Sequence, residues 1–153
     1  MTRLGSRFDD ADESAGLLLW QVTNRWQAAQ RAVFKPFGLT HVQFVLLASL
    51  AWFSGDEATA DPISQKALAD HAATDQMMTS QVVRALEAKG WLTRERHPGD
   101  GRAFTLRITD AGASLVRRAN AAVEQCDEDF FAVLGRRSAG FRSALQTLRD
   151  ERV

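Results

Sequence analysis

The stretch ISQKALADHAATDQMMTSQVVRALEAKGWLTRERHPGDGRAFTLRIT, residues 63–109, decides how the rest of the chain is read. It holds two short helical patterns joined by a tight turn, then two strand-like runs around a glycine-rich loop. Ser64 is placed to cap the first helix, where Ala67, Leu68 and His71 form an apolar-biased stripe. Thr74 or Asp75 is placed to cap a second helix that runs to about Lys89 and is stopped by Gly90. At about 100° per residue, Thr79, Val82, Val83 and Leu86 share the side that anchors this helix to a core. The opposite side carries Met77, Ser80, Gln81 and Arg84, with Gln76 at its edge. Such a mixture of hydrogen-bonding side chains and one long cation can meet base edges and phosphates in a major groove. After Gly90 the period changes from 3.6 to two. The run from Trp91 to Arg96 leads into HPGDGR, and Phe104, Leu106 and Ile108 then alternate with Ala103, Thr105 and Arg107, which predicts a hairpin.

Helix, turn, helix, hairpin is the order of a winged helix-turn-helix, and here the chain resembles the MarR family of bacterial transcription regulators. The resemblance is carried by GLTHVQFVLLASL at 38–50, by the helix pair with ALEAKGWLTRER at 85–96, by Asp100-Gly101-Arg102 in the wing, and by LRITDAGASLV at 106–116. With their flanking helices these pieces span roughly residues 14–148. The resemblance implies a homodimer built by the first and last helices, with the helix from Gln76 to Lys89 in a major groove and the wing at the minor groove. It implies that Arg102 reaches double-stranded DNA and that Asp100 pairs with another arginine, Arg94 or Arg96. Those three arginines thus join Gln76, Met77, Ser80, Gln81 and Arg84 as the expected DNA-binding set. It further implies a cavity between the dimerising helices and the winged domain that takes a small aromatic or phenolic effector. Trp20, Trp26, Phe34, Phe37, Phe44 and Trp52 lie on the first two helices and are its candidate walls, although aromatics at helical spacing also build cores. The chain departs from the family pattern at Ala73, where a small turn residue, often glycine, is expected.

Formal net charge is zero over 153 residues, yet the charge is unevenly spread. From Arg84 to Arg107 six cations stand against three anions, whereas Asp9, Asp10, Asp12 and Glu13 outnumber Arg3 and Arg7. A basic module on a neutral body concentrates attraction where phosphates would lie. The single cysteine, Cys126, excludes an intrachain disulfide and fits a reducing cytoplasm. It holds a core-phase position, and Glu124, Asp127, Glu128 and Asp129 around it oppose a thiolate. No signal peptide and no apolar run of membrane-spanning length is visible, so no membrane partner is expected. His41, His71 and His97 lie on three separate elements, without the convergent spacing a metal needs. No nucleophile–base pairing or phosphate loop points to an enzyme, and no cofactor is expected.

The remainder reads as helices. Residues 1–13 are polar and aperiodic, a flexible tail. From the cap residue Ser14 to about Lys35, Leu19, Val22, Trp26, Ala29 and Val33 recur at helical spacing, with Leu18 and Trp20 off the stripe; Pro36 and Gly38 end the helix. Thr40 opens HVQFVLLASLAWF, apolar nearly all round and therefore central. Residues 54–62 have loop composition. Thr109 caps a long helix with Leu115, Ala119, Ala122, Cys126, Phe130 and Val133 as its stripe and Gly135 at its end; a last helix runs from Ser138 to about Arg149.

The expected architecture is mainly α with a small β-hairpin wing, an α+β winged helix-turn-helix of about six helices. A tail over 1–13 precedes one domain over 14–153, with dimerisation helices over about 14–37 and 110–149 and the winged module over about 40–109. The terminal helices carry apolar surface that the module cannot cover, and a two-fold dimer uses one patch twice. The expected function is transcriptional regulation, as a repressor on a pseudo-palindromic operator. A winged-helix module that binds protein rather than DNA, in keeping with zero net charge, is the other class left open.

Overall fold

The computed structural model describes residues 3–55 and 61–151. Most of its helices begin where a side chain satisfies a backbone N–H that the helix itself leaves orphaned. Ser14 Oγ accepts from Leu17 N–H at 3.2 Å at the head of α1, Ala15–Phe34. Thr40 and Gln43 close a reciprocal capping box on α2, His41–Ser54. Ser64 caps α3, Gln65–Ala72, and Asp75 rather than Thr74 caps α4, Gln76–Ala88, its Oδ1 lying 2.7 Å from Met78 N. Thr109 caps α5, Asp110–Phe131; α6, Ser138–Asp150, follows a 3-10 stretch and has no side-chain cap. Within the expected tail, Asp10 caps a 3-10 turn at Ala11–Glu13. The loop expected over 54–62 falls mainly on residues 56–60, outside those described.

Three antiparallel strands form one sheet in the order β1 (Ile63–Ser64), β3 (Asp100–Ile108), β2 (Leu92–His97). The two-residue β1 is too short to carry a period and was not expected. It pairs Ile63 with Leu106 and Ser64 with Thr105, two residues of β3 that are both buried. On the other edge Leu92 pairs with Ile108 and Arg96 with Phe104, and a bulge follows Arg96 before the Pro98-Gly99 turn.

The nearly all-apolar α2 is central, as its composition requires. Leu46, Leu47 and Leu50 are buried against a core that includes Leu68 of α3, Val83 and Leu86 of α4, Leu92 and Leu106 of the sheet, and Leu115, Val116 and Ala119 of α5. Backbone contact joins α5 to the start of the hairpin: a Cβ on Gly112 would stand 2.0 Å from the Trp91 carbonyl oxygen, so only glycine fits there.

Two expectations are corrected. The stripe of α1 through Leu19 and Val22 is exposed in the protomer, and the buried residues are Gln30 and Phe34. A 3-4 stripe leaves the rotation of a helix ambiguous; Trp26, Gln30 and Phe34, four residues apart, set the face that meets the rest of the chain. The α geometry of α5 ends at Phe131, not at Gly135, and the chain tightens into a 3-10 stretch over Ala132–Arg137. Gly135, at φ 53°, then turns it so that the Phe131 and Phe141 rings lie 5.8 Å apart. No residue of α6 is buried, and Leu145 and Leu148 are exposed together with Leu17, Leu18, Leu19, Trp20 and Val22 of α1.

Candidate nucleic-acid interface and adjoining cleft

The turn between α3 and α4 is made by Ala73 at φ 54°, ψ 39°, the one non-glycine residue among those described with positive φ. Thr74 N–H returns to Ala69 O at 3.0 Å, closing α3. The buried Thr79 hydroxyl donates to Asp75 O at 2.8 Å, which leaves Thr74 Oγ1 to donate to Thr79 Oγ1 at 2.7 Å. The start of α4 is therefore fixed to the turn by side chains as well as by its cap. Thr79, Val83 and Leu86 hold α4 to the core, and Gln76, Met77, Gln81 and Arg84 are exposed on the other side, with Ser80 half-buried. Met77 is 74 % exposed, an apolar side chain offered to solvent beside polar ones.

The wing presents Arg102 at its exposed tip. The ion pair expected of Asp100 is not formed with Arg94 or Arg96: Asp100 Oδ1 instead accepts from the Arg102 N–H at 3.0 Å and rigidifies the turn. A short side chain at the tip reaches the backbone two residues on more easily than it reaches back along the strand. Arg96 donates to Gly101 O at 2.7 Å, bracing the same turn. Arg94 is turned inward. Its guanidinium lies over Phe104 at 4.4 Å and 3.6 Å from Glu87, and its side chain is only 18 % exposed. It is a strut between α4 and the wing and does not share the outward surface of Arg84 and Arg102.

Beside this surface a cleft of about 690 Å³ opens between α1, α2 and the α3–α4 turn. Trp26, Arg31 and Lys35 line one side, Leu39, Val42 and Val45 the floor, and Ala72 and Thr74 the end next to the turn. His41 lies on its wall, 4.9 Å from the Trp26 ring and 5.1 Å from that of Phe34. Burial pushes the His41 imidazole below its usual value, against an upward pull from Asp127, and Arg31 adds to the depression. Of the six aromatic residues expected to line a cavity, Trp26 lines this cleft and Trp52 lines another. Phe34 and Phe44 are core residues with rings 5.0 Å apart, and Phe37 packs on that core. Trp20 and Trp52 are exposed, Trp52 beside a separate cleft of about 390 Å³ between α2 and α5.

Sequence reasoning missed Arg31, Lys35, Gln30 and Asp127. Trp26 Nε1 and Gln30 Nε2 donate to one oxygen of Asp127, at 2.7 and 2.6 Å, tying α1 to α5. A polar residue at the spacing of Trp26 and Phe34 was the available signal. Cys126 is half-buried, and burial with the neighbouring Asp127 and Asp129 raises its thiol above the usual value, which opposes a reactive thiolate. Among the described residues no three or more His, Cys, Asp or Glu side chains converge as a metal site. No single described helix is long and apolar enough to cross a membrane.

Comparison with known proteins gives a consistent picture. The sequence model of the MarR family matches residues 39–104. An uncharacterized HTH-type transcriptional regulator of Bacillus subtilis (strain 168), YdcH, is 41 % identical over 143 residues, covering 94 % of this chain and 95 % of that protein. Among solved structures, Bordetella bronchiseptica BpsR, whose DNA binding is described as regulated by 6-hydroxynicotinic acid, superposes with a TM-score of 0.82 at 24 % identity, covering 94 % of this chain and 98 % of that one. A mutant MarR from E. coli complexed with operator DNA superposes with a TM-score of 0.75 at 20 % identity, covering 87 % and 91 % of the two chains.

Proposed function

This chain belongs to the MarR family of transcriptional regulators, and from that premise we propose that it acts as a homodimeric repressor on a pseudo-palindromic operator. The observation that carries the reading is the outward face of α4, where Gln76, Met77, Gln81 and Arg84 are exposed next to a wing tip bearing Arg102. Arginine takes guanine bidentately, glutamine takes adenine, and a methionine can meet a thymine methyl. Arg102 enters the minor groove beside it. The exposed apolar faces of α1 and α6 join two copies, with α5 between them, and set the two α4 helices about one turn of duplex, ~34 Å, apart. The protein works in the cytoplasm, where the chromosome lies.

A small aromatic effector enters the cleft of about 690 Å³, within the size range of ligand sites. Arg31 and Lys35 line it and, among the described residues, no carboxylate does, so the effector carries a negative group on an aromatic body that rests on Trp26. Binding releases DNA by favouring a dimer whose α4 spacing no longer fits the operator. BpsR, regulated by a hydroxylated aromatic acid, is a precedent at the level of fold.

The test is a fluorescence-anisotropy titration with DNA from immediately upstream of the protein's own coding region, at several salt concentrations. Tight binding that falls steeply with added salt is the expected result, because phosphate contacts release counterions. Indifference to every duplex offered, with salt-insensitive capture of a protein partner, would replace this reading with the interaction-module alternative.

A further inference from the structure

Asp127 stands at an unusual junction. One of its carboxylate oxygens takes the Trp26 indole N–H at 2.7 Å and the Gln30 amide at 2.6 Å, joining residues about a hundred positions apart in the chain. Gln30 is fully buried near the C-terminal end of α1, and its other polar atom, Oε1, has no hydrogen-bond partner among the described residues. A buried amide with one end idle is costly, so the end that bonds Asp127 is what offsets its presence in the core. Trp26 has a single N–H, and fixing its direction fixes the plane of the ring. The His41 imidazole meets that ring at 61°, and the ring lines the cleft. No salt bridge joins Asp127 to Arg31 or Lys35 among the described residues, and both cations line the cleft.

We propose that Asp127 is a positioning residue that holds Trp26 as the aromatic wall of the cleft and so determines its affinity for a flat aromatic anion, an inference that rests on the effector reading above. Asp127 touches no guest itself. On its far side it borders a crevice of about 400 Å³ between α5 and α6, shared with Phe131, Phe141 and Arg142.

The experiment uses the full-length protein labelled with 15N at tryptophan, with 2-naphthoate as the probe. The Trp26 indole N–H signal is assigned by Trp26→Phe and followed in Asp127→Ala and Asp127→Asn. It shifts and exchanges faster in Asp127→Ala and is largely restored in Asp127→Asn, whose amide oxygen still accepts. Calorimetry then shows 2-naphthoate affinity falling about tenfold in Asp127→Ala and in Trp26→Phe, with partial rescue in Asp127→Asn. Should Asp127→Ala fail to fold, Trp26→Phe decides, since it removes the donor and keeps a ring. Parental probe affinity in Trp26→Phe or Asp127→Ala, or an unmoved indole signal, overturns the proposal. If the parent takes up no 2-naphthoate, the effector reading falls and this inference with it, whereas DNA binding by the same sample keeps the DNA reading separate.

Discussion

At Ala73 a methyl group sits in backbone territory that glycine occupies freely. The left-handed conformation costs an L-residue about 1–2 kcal/mol, and glycine's extra freedom when unfolded returns about half of that. Ala73→Gly should therefore stabilise the fold by about 0.5–1 kcal/mol, measured as a higher urea midpoint with an unchanged slope. His41 gives a prediction of opposite character. Its folded value is depressed by burial, so between that value and the ordinary one near 6.5 the unfolded chain binds more protons than the folded one. The stability it contributes is complete above the unfolded value and is lost as pH falls through the folded one. Urea midpoints taken from pH 8 to pH 5 should drop on the acid side, and His41→Gln should flatten that part of the profile.

At the level of elements, Arg94 and Arg102 belong to the same hairpin and do different things. Arg102→Ala should weaken operator binding by about 1 kcal/mol and lower the salt slope by about one, as expected for a lost phosphate-region contact. Arg94→Ala should weaken binding through a loosened wing while leaving the salt slope unchanged, because its charge faces Glu87 and Phe104. Sequence could not single out Arg94 as the strut: Arg94 and Arg96 lie two apart on one strand, and only the neighbours brought from α4 and β3 tell them apart. Helix starts were legible because Ser14, Thr40, Ser64 and Thr109 are caps whose chemistry is local. The strand β1 was not, since two residues hold no pattern and its pairing with β3 is decided across the fold. The cleft was the least legible part. Its indole and Arg31 come from α1, Lys35 from the turn after it and the imidazole from α2, and Asp127 was hidden in an acidic run that reads as solvated surface.

For the whole molecule, α1 exposes Leu17, Leu18, Leu19, Trp20 and Val22 close together, and α6 exposes Leu145 and Leu148. An isolated helix as short as the 13-residue α6, which buries none of its residues, is marginal in water. In the proposed dimer its order comes from a second copy, and folding is then coupled to association. Thermal midpoints should rise with protein concentration from the nanomolar to the micromolar range, while Leu145→Asp should lower the midpoint and abolish that dependence. A midpoint independent of dilution would remove the dimer from the account. The uncovered last helix also has a consequence for lifetime in the cell. On the proposed dimer, a newly made chain without a mate exposes that helix to proteases, which cut what opens, so a shortage of this protein would be felt twice, as fewer molecules made and as faster loss of those still alone.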